Sequence, residues 1–339
     1  MSCASAKPVA APAFAQIEPV GQCNLRCQMC AIQFRRDGAP HGPLAFMEFD
    51  RYCALLEQMP TLRELHLQGL GEPLMHPRFF DMVAHAVARG IRVTTNTNLM
   101  LLSGRRAELC LHSGLAELHV SLDAASAAVY ERIRVRASLE RVLNNLRRLL
   151  ALRAESGRAQ PRVHIIMVIM RQNLDELPEL VRLTHELGAD ALSVQHLCHD
   201  FAESALPEQY RPMRDFVDGE SLLAEDAGRI RTVFAAARRR AQDLGVPLRL
   251  PGLDRPRPAV PRSAPRCDWP WRGPYISYRG EVMPCCMVGT PDRACVGHTA
   301  LESFGAVWEG AAYDVFRDGL LNDRPPEVCS SCAIYNGTF

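Results

Sequence analysis

Three cysteines, Cys23, Cys27 and Cys30, fall within the eight residues that end "GQCNLRCQMC". Thiolates spaced this closely suit a soft metal centre. A [4Fe–4S] cubane takes cysteine thiolates as its usual ligands, one per iron, so three leave one iron open for an exogenous ligand, as catalytic metal sites keep an open position. A zinc knuckle is the competing reading of the same residues. More sulfur follows: Cys267, Cys285, Cys286, Cys295, Cys329 and Cys332 crowd the last quarter, while Cys3, Cys53, Cys110 and Cys198 are scattered, making 13 in all.

The rest of the composition sets the context. The chain has 339 residues, 47% of them apolar, and a net charge of +1. That balance reads as globular, and without a long basic run nucleic acid is not an expected partner. The opening "MSCASAKPVAAPAFAQ" carries one Lys and no unbroken apolar core, so it does not read as a signal peptide. No run approaches the eighteen apolar residues of a spanning helix, so no membrane contact is expected either. The expected location is the cytoplasm, where thiols stay reduced and so many cysteines point to metal ligation or catalysis rather than disulfides.

These cysteines need a scaffold, and the middle of the chain alternates short β-rich runs with longer helical patterns. Candidate strands are 14–20, 63–69, 91–97, 116–123, 162–170 and 190–197; helical stretches lie near 47–59, 77–89, 103–113, 126–153 and 173–187. Asn173 is the expected N-cap of the last and Gly188 its stop. Six βα units predict an α/β fold with a parallel sheet, a partial (β/α)6 TIM-like barrel that is open because a closed one needs eight. Chemistry in such barrels sits at the carboxyl ends of the strands, where the cysteine loop begins.

With these units in place, the spacing C-x3-C-x2-C after a first strand resembles the radical S-adenosylmethionine (SAM) superfamily, in which the open iron chelates SAM and reductively cleaves it to a 5′-deoxyadenosyl radical. "GLGEPLMHP" after the second strand is similar to the family's glycine–glutamate segment. Through that resemblance Gly71 and Glu72 are expected at the SAM amino group, where a carboxylate pairs with an ammonium. Met29 is expected against adenine, Asn96 and Asn98 at the site mouth, and Ser121 and Asp123, on the polar face of "ELHVSLDAAS", toward ribose and carboxylate. Arg132, Arg134 and Arg136 are all within reach of a carboxylate; Arg134 is the selected one. Arg171, Gln195, His196 and His199 are further polar groups near strand ends.

Past residue 200 the chain turns polar and irregular, then helical, then Pro/Arg-rich to about 265. Expected divisions are an N-terminal tail 1–13 without order, a barrel 14–200, a helical connection 201–255 and an auxiliary domain 256–339. "YISYRGEVMP" reads as a hairpin turning at Arg279–Gly280, with Cys267 before it and Cys285 at its end; Cys329 and Cys332 form a later C-x2-C pair. This arrangement resembles the SPASM/twitch extensions of radical SAM enzymes. Full SPASM domains carry more cysteines after that pair, so the expectation is one auxiliary [4Fe–4S] cluster on Cys267, Cys285, Cys329 and Cys332, with Cys286 as alternative to Cys285 and a four-cysteine zinc site as alternative metal.

The resemblance implies a radical SAM enzyme that abstracts a substrate hydrogen atom. Oxidation of a small molecule or peptide leads, with the second cluster as electron acceptor and an external donor such as flavodoxin or ferredoxin supplying the first electron. Epimerisation, with Cys198 or Cys286 as catalytic hydrogen donor, is the alternative; a non-catalytic iron–sulfur or zinc scaffold is the third.

Overall fold

The computed structural model of the chain describes residues 9–35, 44–197, 201–252 and 265–337. Twelve strands are found among them: β1 (Phe14–Ile17), β2 (Arg26–Cys27), β3 (Glu64–Leu67), β4 (Arg92–Thr97), β5 (Glu117–Ser121), β6 (Arg134–Val135), β7 (Arg162–Ile169), β8 (Ala191–His196), β9 (Leu248–Arg249), β10 (Tyr275–Ile276), β11 (Glu281–Met283) and β12 (Gly297–His298). Ten of them make one sheet in the order β12-β11-β10-β1-β3-β4-β5-β7-β8-β9. From β10 through β9 every pairing is parallel.

Parallel neighbours need crossovers, and the helices α1 (Phe49–Glu57), α2 (Phe79–Ala88), α3 (Gly104–His112), α4 (Ala127–Ile133), α5 (Leu139–Glu155), α6 (Leu177–Leu187), α7 (Arg211–Glu220) and α8 (Ala227–Leu244) supply most of them. Leu65, Leu67, Val93, Leu118, Val120, Val163, Ile165, Leu192 and Val194 belong to the main core with apolar residues of these helices. Alternate residues face a polar lumen, which is why these parallel strands alternate instead of reading as continuous apolar runs. The expected α/β partial barrel is present, each of its six main strands within the stretch expected for it. Among the described residues no helix is long and apolar enough to cross a membrane.

Three local expectations are corrected. The helix expected over 126–153 is two helices, α4 and α5, because β6 between them pairs antiparallel with β2 in the cysteine loop, Cys27 opposite Arg134. Arg136 then takes φ 75°, and the Ser138 side chain caps α5 by accepting from the Arg141 N–H. Asn173 is not the N-cap of α6: it is fully buried, its Oδ1 accepting from the Met170 N–H at 2.7 Å and its Nδ2 donating to the Asp123 and Val168 carbonyls. Gly188 does end α6, at φ 71°. The supposedly irregular stretch after 200 contains α7, and β9 adds a seventh parallel strand to the barrel side.

The C-terminal hairpin β10–β11 turns at Gly280 as expected, but it does not stand apart: β10 pairs parallel with β1, extending the barrel sheet. The helices α9 (Trp269–Arg272), α10 (Phe304–Trp308) and α11 (Ala311–Leu321) pack beside it, with Trp308, Tyr313 and Arg317 buried together. Residues 1–8 of the expected N-terminal tail and 253–264 of the Pro/Arg-rich run lie outside the described residues.

The lumen has its own energetics. His66 bonds Thr94 Oγ1 through Nδ1 at 2.7 Å, and burial, helped by nearby His119, pushes its pKa from 6.5 down to about 4. The folded chain therefore keeps this ring neutral where the unfolded chain takes a proton, so stability falls as pH drops from 6.5 to about 4. The loss is at most about 3 kcal/mol, since the ring is partly open to the lumen. Urea midpoints at pH 7 and pH 4.5 test this: wild type should lose more than a His66→Gln variant, and equal losses would refute the assignment.

Candidate active site

The cysteine loop leaves the end of β1 and is held from three sides. Glu18, directly after β1, and Arg35, past the loop, form an ion pair at 2.7 Å with both side chains fully buried. The same Glu18 Oε1 accepts from the Leu70 and Gly71 N–H groups of the glycine turn, and Arg35 lies over the Tyr278 ring of the C-terminal hairpin. The third hold is the β2–β6 pairing, reinforced by the Gln28 N–H donating to the Ile133 carbonyl.

Donors surround the sulfurs. Cys23 Sγ accepts from the Leu25 N–H at 3.4 Å and from Asn98 Nδ2 at 3.7 Å; Cys27 Sγ accepts from Arg134 Nη1 at 3.8 Å. Burial pushes all three thiols up, Cys27 to about 12. Among the described residues no three cysteine sulfurs lie within 4.8 Å of one another.

Beside the loop opens a cavity of about 240 Å³. Its walls bring together Cys23, Cys27, Cys30, Met29, Gly71, Glu72, Asn96, Ser121 and Arg134, all expected from the sequence. Glu72 is braced by three donors: the Leu74 N–H and Thr97 hydroxyl on Oε1 and the Asn98 N–H on Oε2. A carboxylate offers about four acceptor positions, so one on Oε2 is not taken by these donors, and Glu72 lines the cavity. Burial raises its pKa, with these hydrogen bonds opposing.

Gly71 has a steric reason. A Cβ there would sit 1.9 Å from the Val20 carbonyl oxygen, because the turn lies against the strand leading into Cys23 and the Glu72 N–H donates to the Gln22 carbonyl. Gly71→Ala should therefore displace Val20–Gln22 and lower stability by about 1–3 kcal/mol, the usual scale for overpacking. Iron content per chain should fall with the melting temperature; an unchanged melting temperature would show that the turn yields without strain.

Not every expected residue is at the wall. Asp123 is fully buried behind it, its Oδ2 2.6 Å from Arg134 Nε and its Oδ1 accepting from the Val168 N–H, so it orients Arg134 and does not face the cavity. Arg132 and Arg171 are outside, paired with Gln172 and Glu225. Gln195 and His196 do line the cavity, but Cys286 does not, and Cys198 and His199 lie outside the described residues. Sequence reasoning missed Val288, Gly289 and Thr290, which close one wall from the C-terminal side, and Phe201 beside them under Arg293. Arg293 and Glu203 clamp these two segments by a buried pair at 2.5 Å, and the Tyr210 hydroxyl bonds Thr290 Oγ1 at 3.0 Å. No sequence motif marks that clamp.

In the C-terminal half Cys285, Cys329 and Cys332 are buried and Cys267 half-buried. Burial first, then the neighbouring thiols Cys286, Cys332 and Cys267, raises the Cys285 thiol; Cys329 is raised by burial and by Cys285, Cys332 and Cys267. These four thiols share one environment, with Cys286 adjacent to Cys285.

Comparison with known proteins agrees with this architecture. The model of the radical SAM superfamily matches residues 17–184, and that of the SPASM iron–sulfur cluster-binding domain matches 267–333. A tungsten-containing aldehyde ferredoxin oxidoreductase cofactor-modifying protein of Pyrococcus furiosus is 26% identical over 94% of this chain and 86% of its own. A PqqA peptide cyclase of Rhodopseudomonas palustris is 26% identical over 94% of this chain and 78% of its own. In fold the chain is similar to Streptococcus suis SuiB bound to its precursor peptide SuiA, with a TM-score of 0.69 at 15% identity over 97% of this chain and 71% of that one. The chain belongs to the radical SAM superfamily, and a SPASM-type iron–sulfur domain completes its C-terminal part.

Proposed function

We propose that this enzyme oxidises a peptide or peptide-derived substrate, holding it in the cavity between Cys23, Cys27 and Cys30 on one side and Val288, Gly289 and Thr290 on the other. The observation that carries this reading is the shared wall: Val288 follows Cys285 by three residues, so the substrate would lie between two groups of thiolates. The spread of the sulfurs supports clusters over zinc, because four thiolates on one zinc at about 2.3 Å would sit about 3.8 Å apart. Bound by these cysteines, one [4Fe–4S] cluster with an open iron would supply, with SAM, a 5′-deoxyadenosyl radical for hydrogen abstraction, and a second on Cys267, Cys285, Cys329 and Cys332 would supply an electron sink.

The chain's own groups do the positioning. Glu72 offers its open acceptor position to an ammonium, Arg134 and Asn98 donate toward the sulfurs and the cavity, Met29 gives an apolar wall, and the Glu203–Arg293 clamp keeps Phe201 and Thr290 over the mouth to exclude water. The first electron would come from a flavodoxin- or ferredoxin-like donor. Names of relatives that modify peptides and cofactors support the substrate class.

The test is turnover of anaerobically reconstituted, reduced protein with SAM and a panel of peptides. The expected result is 5′-deoxyadenosine together with a product two hydrogens lighter. A product of unchanged mass in H2O that gains one deuterium in D2O would instead favour epimerisation, with Cys198 or Cys286 as the hydrogen donor. No 5′-deoxyadenosine from cluster-loaded protein would remove the enzymatic reading.

A further inference from the structure

Beneath the cavity wall, toward the amino ends of the strands, a second group of ligating side chains meets, next to Asn96 of that wall. We propose that Glu117, His119 and His164 bind one divalent transition-metal ion.

His119 on β5 and His164 on β7 are direct register partners, and Glu117 precedes His119 by two residues and so shares its face. Glu117 Oε2 lies 3.2 Å from His119 Nε2 and 3.9 Å from His164 Nδ1, and one ligand atom from each residue falls within 4.8 Å of the other two. Bonds of about 2.0–2.2 Å around a tetrahedral ion put ligand atoms about 3.3 Å apart, so the group needs to close only slightly. The rings stand at 13° to each other, and coordination asks His164 to turn about its Cβ–Cγ bond.

The hydrogen bonds around the group leave the right atoms available. Arg92 Nη2 occupies the other carboxylate oxygen, Oε1, at 2.6 Å, and leaves Oε2 to the histidines. His119 Nδ1 lies 2.8 Å from Asn96 Oδ1 and Nε2 lies 3.2 Å from Glu117 Oε2; in the tautomer whose proton is on Nδ1, Nε2 offers its lone pair beside the carboxylate. A cation bound there would take the place of the proton in the His119–Glu117 contact, and an outer hydrogen bond such as that to Asn96 is the usual support of a metal-bound histidine. His164 Nε2 is buried and has no hydrogen-bond partner among the described residues. The three side chains are about one-fifth exposed, which leaves room for water on the ion. Two imidazoles and one carboxylate favour Zn²⁺ or Fe²⁺ over Mg²⁺ or Ca²⁺.

The test uses full-length, cluster-loaded protein dialysed anaerobically against micromolar Zn²⁺. One zinc per chain should be retained, and a His119→Gln/His164→Gln variant should lose it with iron content unchanged. Zinc-edge X-ray absorption of the wild type should show imidazole and oxygen donors. No retained zinc, equal zinc in the variant, or sulfur in the zinc shell would each overturn the site. The absorption spectrum decides the matter in wild type even if the double variant fails to fold.

Discussion

Changing Cys23, Cys27 and Cys30 together to Ala should lower the iron content of reconstituted protein from about eight to about four per chain, at four irons per cubane, and abolish SAM cleavage. The sulfurs are gathered in one loop at the cavity wall, whereas the C-terminal thiols sit on other elements, so the two losses are separable. The loop's holds run through Glu18, Arg35 and the β2–β6 backbone pairing, none of which uses a cysteine side chain, and the melting temperature should therefore move little. Iron analysis and 5′-deoxyadenosine assays decide it. Unchanged iron, or surviving cleavage, would refute the assignment of this loop. A wild type with about four irons, all lost in the variant, would keep the loop's role and remove the electron sink, which moves epimerisation ahead of oxidation.

The second large effect is structural. Arg35→Met would leave the Glu18 carboxylate uncompensated in a fully buried place, and breaking one side of such a pair typically destabilises by about 3–5 kcal/mol. Glu18 also receives the Leu70 and Gly71 N–H groups, so its displacement should loosen the glycine turn and reduce cluster loading as well. The double change Glu18→Gln/Arg35→Met should recover part of the stability, since it removes both charges. Denaturant unfolding of the three proteins measures the coupling, and additive losses would show that the pair is not acting as one unit.

These groups also mark where sequence reading succeeds and where it ends. Three thiols in eight residues have few explanations, and strands such as Glu117–Ser121 alternate visibly because one face meets helices and the other a polar lumen. Cys23, Cys27, Cys30 and Ser121, which line the cavity, were legible for those reasons, and Glu72 through the resemblance of its glycine turn. Glu18 and Arg35 carry no motif: they are 17 residues apart, and only folding brings them together. Arg134 could not be told from Arg132 and Arg136 by spacing, because what selects it is the backbone pairing with Cys27. That same tertiary pairing overrides the helical periodicity through Ile133 and Val135, a case of local propensity losing to a long-range partner. Asp123 alternates with the lumen residues in sequence, yet Arg134 draws it out of the lumen. The closing wall at Val288–Thr290 depends on where the C-terminal hairpin docks, which no local pattern reports.

That docking decides how far the two halves can be treated as modules. Gln16 and Glu18 donate their N–H groups to the carbonyls of Pro274 and Ile276, so the strand that launches the cysteine loop is an interior strand only because the hairpin is there. Expressed without its last quarter, the barrel would present that strand as an open edge, the kind of surface on which chains pair and aggregate. The C-terminal hairpin is thus a slat of the barrel sheet itself, and taking it away would bare the strand that carries the cysteine loop.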